Sequence, residues 1–230
     1  MDSDNKLEFI LVWLTFLVTS LAIYMVFIYA PTERVMGDVQ RLFYFHVATA
    51  WIAFAAFFVV FIASIVYLKN QSSLANILGL ASAEIGVLFT TMVLITGPLW
   101  ARPIWNAWWT WDPRLTTTLI LWFIYIAYIL IRISAEESEK RGRLAAVFGI
   151  VGFINVPIVF MSIRWWRSIH PQVVSGGSFD LDPRMLHALL TSVAAFTLIY
   201  LYLLQKRFKV ELLQEKLKDI KETLRKQKHI

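Results

Sequence analysis

Histidine is the residue type in this chain best suited to hold a metal, and there are only four. His46 sits in "YFHVATAW", His170 in "RWWRSIHP", His187 in "DPRMLHAL", and His229 next to the last residue. Cysteine is absent, which removes thiolate ligands, disulfides and thiol nucleophiles. A second concentration of chemistry is "GPLWARPIWNAWWTWDPRLT", residues 97–116, which carries Trp100, Trp105, Trp108, Trp109 and Trp111 within twelve positions. Several indoles together offer a platform for a large, flat, apolar ligand, each favourable aromatic pair adding about 0.5–1.5 kcal/mol beyond burial. A porphyrin, a quinone and a sterol all meet that description. The plainer role is anchoring at a membrane interface. It suffices for Trp13, Trp51 and Trp122, but five in one loop, with Trp165 and Trp166 in another, exceed it.

The elements that position these residues are apolar runs. Of 230 residues, 58% are hydrophobic and 17% charged, and the charges cluster between the runs. About 20 apolar residues cross a bilayer core as a helix. Six segments qualify: Phe9–Tyr29, Phe45–Leu68, Ile77–Thr96, Leu115–Ile133, Leu144–Ile163 and Met185–Leu204. The fold class is therefore all-α, a polytopic membrane protein. Residues 1–204 form the six-span domain with a tryptophan loop at 97–114, and 205–230 form a basic amphipathic tail. Pro157 is expected to kink the fifth span. The first run, preceded by the acidic start "MDSDNKLEF", reads as a retained signal anchor rather than a cleaved signal peptide. Fifteen Lys and Arg fall on the side of the termini and seven on the other. The positive-inside rule then predicts both termini in the cytoplasm and the tryptophan loop outside. The net charge of +6 belongs to this topology and to the tail, not to nucleic acid.

That orientation places His46, His170 and His187 at the outer face and His229 on the wrong side. Two imidazoles on opposite faces can hold a haem iron axially. Each histidine alone suits a structural role; three beside one tryptophan cluster favour a haem site. Pro171 biases His170 toward extended backbone, in a loop able to fold over the platform. His187 lies just inside a proline-capped helix and can hydrogen-bond a neighbouring loop instead. Arg102 and Arg114 flank the tryptophan loop, with Arg34, Arg41, Arg164 and Arg167 nearby, and arginine pairs bidentately with carboxylates such as propionates. Lipid phosphates are an equal alternative. Asp112-Pro113 and Asp182-Pro183 read as helix caps with proline at the first helical position. Glu84 is the one acid within a span, placed to reach the interface or to pair with another helix. The tail is expected to be a solvated or surface-lying helix, or a contact for a cytoplasmic partner.

"TGPLWARPIWNAWWTWDPRLT", "YFHVATAW", "GFINVPIVFMSIRWWRSIHP" and the six-span layout together resemble the haem exporter protein C (CcmC) family, tryptophan-rich WWD proteins of cytochrome c biogenesis. The resemblance runs from about Arg34 to Leu204. It implies haem b held without covalent bonds at the outer face of the inner membrane, with His46 and His170 at the axial positions. The WWD loop would form the platform: Trp100, Trp105, Trp108, Trp109, Trp111, Asp112, Arg102 and Arg114. It also implies transfer of haem to a membrane-anchored chaperone (CcmE), alongside transporter subunits (CcmA, CcmB) and a small membrane subunit (CcmD). Such a chain is a transfer component rather than a catalyst. The family often has Gly-Thr at Asn106-Ala107 and proline at Ala48. A haem lyase of the related branch, or a scaffold for a quinone, are the rival readings.

Overall fold

The computed structural model describes residues 3–134, 138–171, 174–175, 178–179 and 181–227. Six long helices account for most of them: α1 (Ser3–Tyr24), α2 (Arg41–Asn70), α3 (Ser73–Trp105), α4 (Pro113–Ser134), α5 (Ser138–Trp165) and α6 (Pro183–Gln227). Each is long and apolar enough to cross a membrane. A two-residue pairing of Val174–Ser175 with Ser178–Phe179 decorates the segment before α6.

Helices α2 and α3 are an antiparallel hairpin joined by two residues. Gln71 takes the left-handed conformation, φ 54°, and its N–H donates to the Tyr67 carbonyl at 2.8 Å. Ser72 then caps α3, its hydroxyl accepting from the Ala75 N–H. The core lies where α2 meets α3, α4 and α5. Phe57 and Tyr125 stack at 3.6 Å between centroids, both fully buried. Gly86 admits this closeness, because a Cβ there would lie 2.5 Å from Phe57 Cε1. Helix α1 stays at the periphery, and its last turn widens into a π-helical turn, Met25–Tyr29, closed by Ala30 N–H donating to the Met25 carbonyl.

One expectation changes. The tryptophan loop was expected from residue 97, but α3 continues through Pro98 and Pro103 to Trp105. Each proline removes one i→i−4 bond, while Trp100 and Ala101 are buried and hold the turn in place. The loop proper therefore begins at Asn106, which stops the helix with φ 51°. Asparagine is among the few residues that enter this region readily, so it fits where the family often has glycine. The tail is helical through Gln227 and continues α6, which runs unbroken for 45 residues. Residues 228–230, His229 among them, lie outside the described residues.

Glu84 pairs with Arg207 on α6, Nη2 to Oε1 at 2.9 Å, and Lys206 and Lys209 of α6 both bond Glu8 of α1. The acid inside the third span therefore joins helices at the end of the bundle opposite the tryptophans.

Candidate functional site

At the tryptophan end, α2, α3, α4 and α5 enclose an apolar cavity of about 250 Å³. His46 enters from α2 and His170 from the segment after α5; both line the cavity, together with Trp100, Trp105, Trp109 and Arg114.

The two imidazoles are hydrogen-bonded in the same way, each through Nδ1. His46 Nδ1 lies 2.8 Å from Thr96 Oγ1, and that hydroxyl donates its own proton to the Met92 carbonyl at 2.7 Å. Thr96 can therefore only accept from the ring, which puts the proton on Nδ1 and leaves the Nε2 lone pair open. His170 Nδ1 lies 3.1 Å from the Pro171 carbonyl, an acceptor only, with the same consequence for its Nε2. Burial pulls the His170 pKa down to about 4, and the Arg114 charge adds to this, against opposing effects of the Pro171 carbonyl and Asp112. His170 is thus neutral at ordinary pH, with an Nε2 lone pair able to accept a metal. His187 is elsewhere: it stacks on Tyr29 with centroids 6.3 Å apart, and its Nδ1 lies 3.3 Å from the Tyr29 hydroxyl.

Asp112 does more than cap α4. Its Oδ1 accepts the Arg114 N–H at 2.9 Å, the expected capping bond. Its Oδ2 accepts from the Ser168 hydroxyl at 2.8 Å and the Ile169 N–H at 2.9 Å. Ser168 Oγ in turn accepts from the His170 N–H at 3.0 Å. One buried carboxylate therefore ties the end of the tryptophan loop to the segment carrying His170. Asp182 caps α6 in the simpler way, Oδ1 accepting from Arg184 N–H.

The five tryptophans divide. Trp100 is 6% exposed and stands edge-on to Trp105 at 5.9 Å. Trp109 faces the cavity and meets Trp111 edge-on at 5.7 Å. Trp108 and Trp111 are 57% and 76% exposed and do not line the cavity. The indole N–H groups of Trp100 and Trp109 are buried with no partner among the described residues. The arginines divide as well. Arg114 lines the cavity and donates to the Val159 and Phe160 carbonyls at 3.0 and 3.1 Å. Arg102 turns outward, bonded to Asn106 and 5.8 Å from the Trp108 ring centroid. Arg164, a neighbouring-loop residue by sequence, ends α5 and lines the cavity. Thr96 and Ser168, which fix the two histidines, carry no signal in the sequence beyond helical register and proximity to Pro171.

A second cavity of about 590 Å³ adjoins the first, sharing Phe43, Trp100 and Pro171, and it is the more polar of the two, with Arg34, Arg184, Gln40 and Asp182 on its wall. Among the described residues no three His, Asp or Glu gather as they would around a bare metal ion. Two open Nε2 atoms, apolar and indole walls, buried donor N–H groups and nearby guanidinium groups instead suit a flat amphipathic ligand that brings its own metal.

Fold and site together define a polytopic, six-helix membrane protein with a histidine- and tryptophan-lined cavity at one end of the bundle. The family model of Heme exporter protein C (CcmC) matches residues 1–223, and the chain belongs to that family. It is 34% identical over 193 residues to "Heme exporter protein C" of Bradyrhizobium diazoefficiens, covering 83% of this chain and 73% of the relative. It is 33% identical over 171 residues to "Heme exporter protein C" of Escherichia coli (strain K12), covering 74% and 69%. The "Putative cytochrome c biosynthesis ccmC-like mitochondrial protein" of Marchantia polymorpha is 32% identical over 188 residues, covering 81% and 80%.

Proposed function

We propose that the chain binds haem b non-covalently in this cavity, with the iron between His46 and His170, and hands it to a membrane-anchored haem chaperone (CcmE) for c-type cytochrome maturation. The observation that carries this is the hydrogen-bond pattern the two rings share. Each has its Nδ1 proton occupied, by Thr96 or by the Pro171 carbonyl, and each lines the same apolar cavity. When bound, haem supplies an iron that takes two nitrogen ligands, and everything else is done by this chain. Thr96 holds the His46 ring, the Pro171 carbonyl the His170 ring, and the Asp112–Ser168 pair the backbone of the segment that carries His170. Trp100, Trp105 and Trp109 cover apolar surface and exclude water. Arg114 and Arg164 bring positive charge to the wall, where an acidic edge of the cargo is held.

The cavity end faces the outside of the inner membrane in this reading, with both termini in the cytoplasm. The excess of Lys and Arg on the side of the termini supports that orientation. The ATP-binding-cassette subunits (CcmA, CcmB) and the small membrane subunit (CcmD) are its partners. The test is the absorption spectrum of the purified protein loaded with haem. A low-spin spectrum that becomes five-coordinate in His46→Ala or His170→Ala, and returns in part with imidazole, is expected. His187→Ala leaves it unchanged. A protein that takes up no haem, or one in which His187→Ala acts as His170→Ala was meant to, refutes the assignment.

A further inference from the structure

The far end of α6, away from the cavity, carries a pattern that the haem site does not use. Val210, Leu213, Leu217, Ile220 and Leu224 succeed one another at intervals of three, four, three and four, and their exposures run from 45% to 59%. That spacing averages 3.5 residues, the seam of a coiled coil with Val210, Leu217 and Leu224 at a and Leu213 and Ile220 at d. Single exposed apolar residues are ordinary; five in one line are not.

The flanks are basic. Lys209 and Lys216 occupy g positions along one side of the seam, and Lys221 an e position along the other. The acids lie on the opposite face, where Glu211 pairs with Arg207 and Glu215 accepts from the Ser73 hydroxyl at 2.7 Å. The seam face of α6, not the acidic one, is the face that α1 approaches lower down. Lys206, on the same stripe, and Lys209 both bond Glu8 near the start of α1. Beyond Lys209 the five apolar side chains of the stripe stay about half exposed among the described residues. A 45-residue helix is about 68 Å long, more than twice the roughly 30 Å of a bilayer core.

We propose that this stripe is a docking seam for a partner helix with apolar a and d positions and acidic flanks, aligned with α6 beyond the end of α1. Charge chooses the partner. In a parallel pair of this chain's own tails, Lys216 at g would meet Lys221 at e of the second copy, and like charges there oppose association. A flat anionic lipid surface is disfavoured by geometry. No glycine or proline interrupts α6 after Pro183, so the stripe continues along the axis of a spanning helix instead of lying in the interface.

The experiment uses the full chain in neutral-lipid nanodiscs. The probes are two labelled synthetic heptad peptides with Val at a and Leu at d, one with Glu at e and g, the other with Lys there. The Glu peptide should bind at least about tenfold tighter than the Lys peptide. Lys216→Glu with Lys221→Glu should reverse that order, and Leu217→Asp with Ile220→Asp should abolish binding while helix content and thermal unfolding stay as in the parent. Equal binding of both peptides overturns the proposal, as does binding that survives the Leu217/Ile220 change. Concentration-dependent self-association through the stripe, or seam-dependent binding to anionic vesicles with no peptide binding, overturns it in favour of a second copy or of lipid. None of these readouts involves haem, so the cavity assignment stands or falls separately.

Discussion

Asp112→Asn isolates the contact on which the placement of His170 depends. The carboxylate is 7% exposed and accepts three hydrogen bonds: one from α4 and two from the segment before His170. The amide keeps one oxygen, which can continue to cap α4. The other position becomes an N–H donor facing the Ile169 N–H donor, and the Ser168 hydroxyl must turn. Hydrogen bonds to a charged group contribute about 1.5–3 kcal/mol each, so losing the one to Ile169 alone removes about that much. Haem retention should then fall about ten- to a hundredfold, as for other groups that orient a metal ligand. Ser168→Ala removes one hydrogen bond to the same carboxylate and the bridge to the His170 N–H, but leaves the Ile169 bond, and should cost about 2–4.5 kcal/mol. Because both residues serve one network, the double variant should lose less than the sum of the two single losses. The assay is a Soret-band titration of each variant with haem, repeated with added imidazole, which replaces the ligand but not the carboxylate. If Asp112→Asn holds haem as tightly as the parent, or if the two losses add in full, the network does not position His170.

The other expectations are shorter. Trp109→Ala should weaken haem retention, whereas Trp111→Ala, at an exposed position, should leave it within about threefold. Thr96→Val should loosen the His46 ring and lower haem affinity about tenfold without changing thermal stability of the haem-free protein beyond about 1 kcal/mol. Gly86→Ala forces a Cβ to 2.5 Å from Phe57 and should lower stability by about 1–3 kcal/mol, read as a lower Tm; an unchanged Tm refutes the packing argument. For pH, the unfolded chain protonates His170 near 6.5 and the folded chain near 4. The folded side therefore loses stability as pH falls through that window, and nothing from this group changes above it. Arg114, Asp112 and His46 are the neighbouring charged or titratable groups, so retention should be level above 6.5 and fall toward 4 in the parent. A cysteine placed at Asn106 should react with an impermeant thiol reagent from outside, and one at Ser138 should not; the reverse pattern refutes the orientation.

Hydrophobic runs made the six helices legible, because a span announces itself in composition alone. Their ends were less so. Pro98 and Pro103 looked like loop residues, yet a proline costs a membrane helix one bond that packing can offset, and the stop came from Asn106. The caps at Asp112 and Asp182 were legible from Asp-Pro, a local pattern. The second use of Asp112, across 57 residues to Ile169, was not, because it depends on how α4 and α5 pack. The histidines show the same boundary. Sequence placed three at one end of the bundle; tertiary contacts separate His187, beside Tyr29, from the two on the cavity. Trp108 and Trp111 are indistinguishable by type from Trp105 and Trp109, and only side-chain direction sorts them. Arg164 enters the wall and Arg102 leaves it for the same reason.

The two sides of the cavity differ in rigidity. His46 stands inside a helix that packs against α3 over most of its length, and its Nδ1 partner Thr96 is itself bonded back to α3. His170 stands on a connecting segment, held by Asp112, Ser168 and the Pro171 carbonyl. Displacing the backbone of His46 means separating two packed helices. Displacing that of His170 means breaking a few hydrogen bonds around one carboxylate, a far smaller cost per event. A protein with the proposed transfer role has to let its cargo go, so the His170 side is where the proposed site would open. Pro171, shared by the apolar cavity and the more polar chamber beside it, places that opening toward the chamber with Arg34 and Arg184.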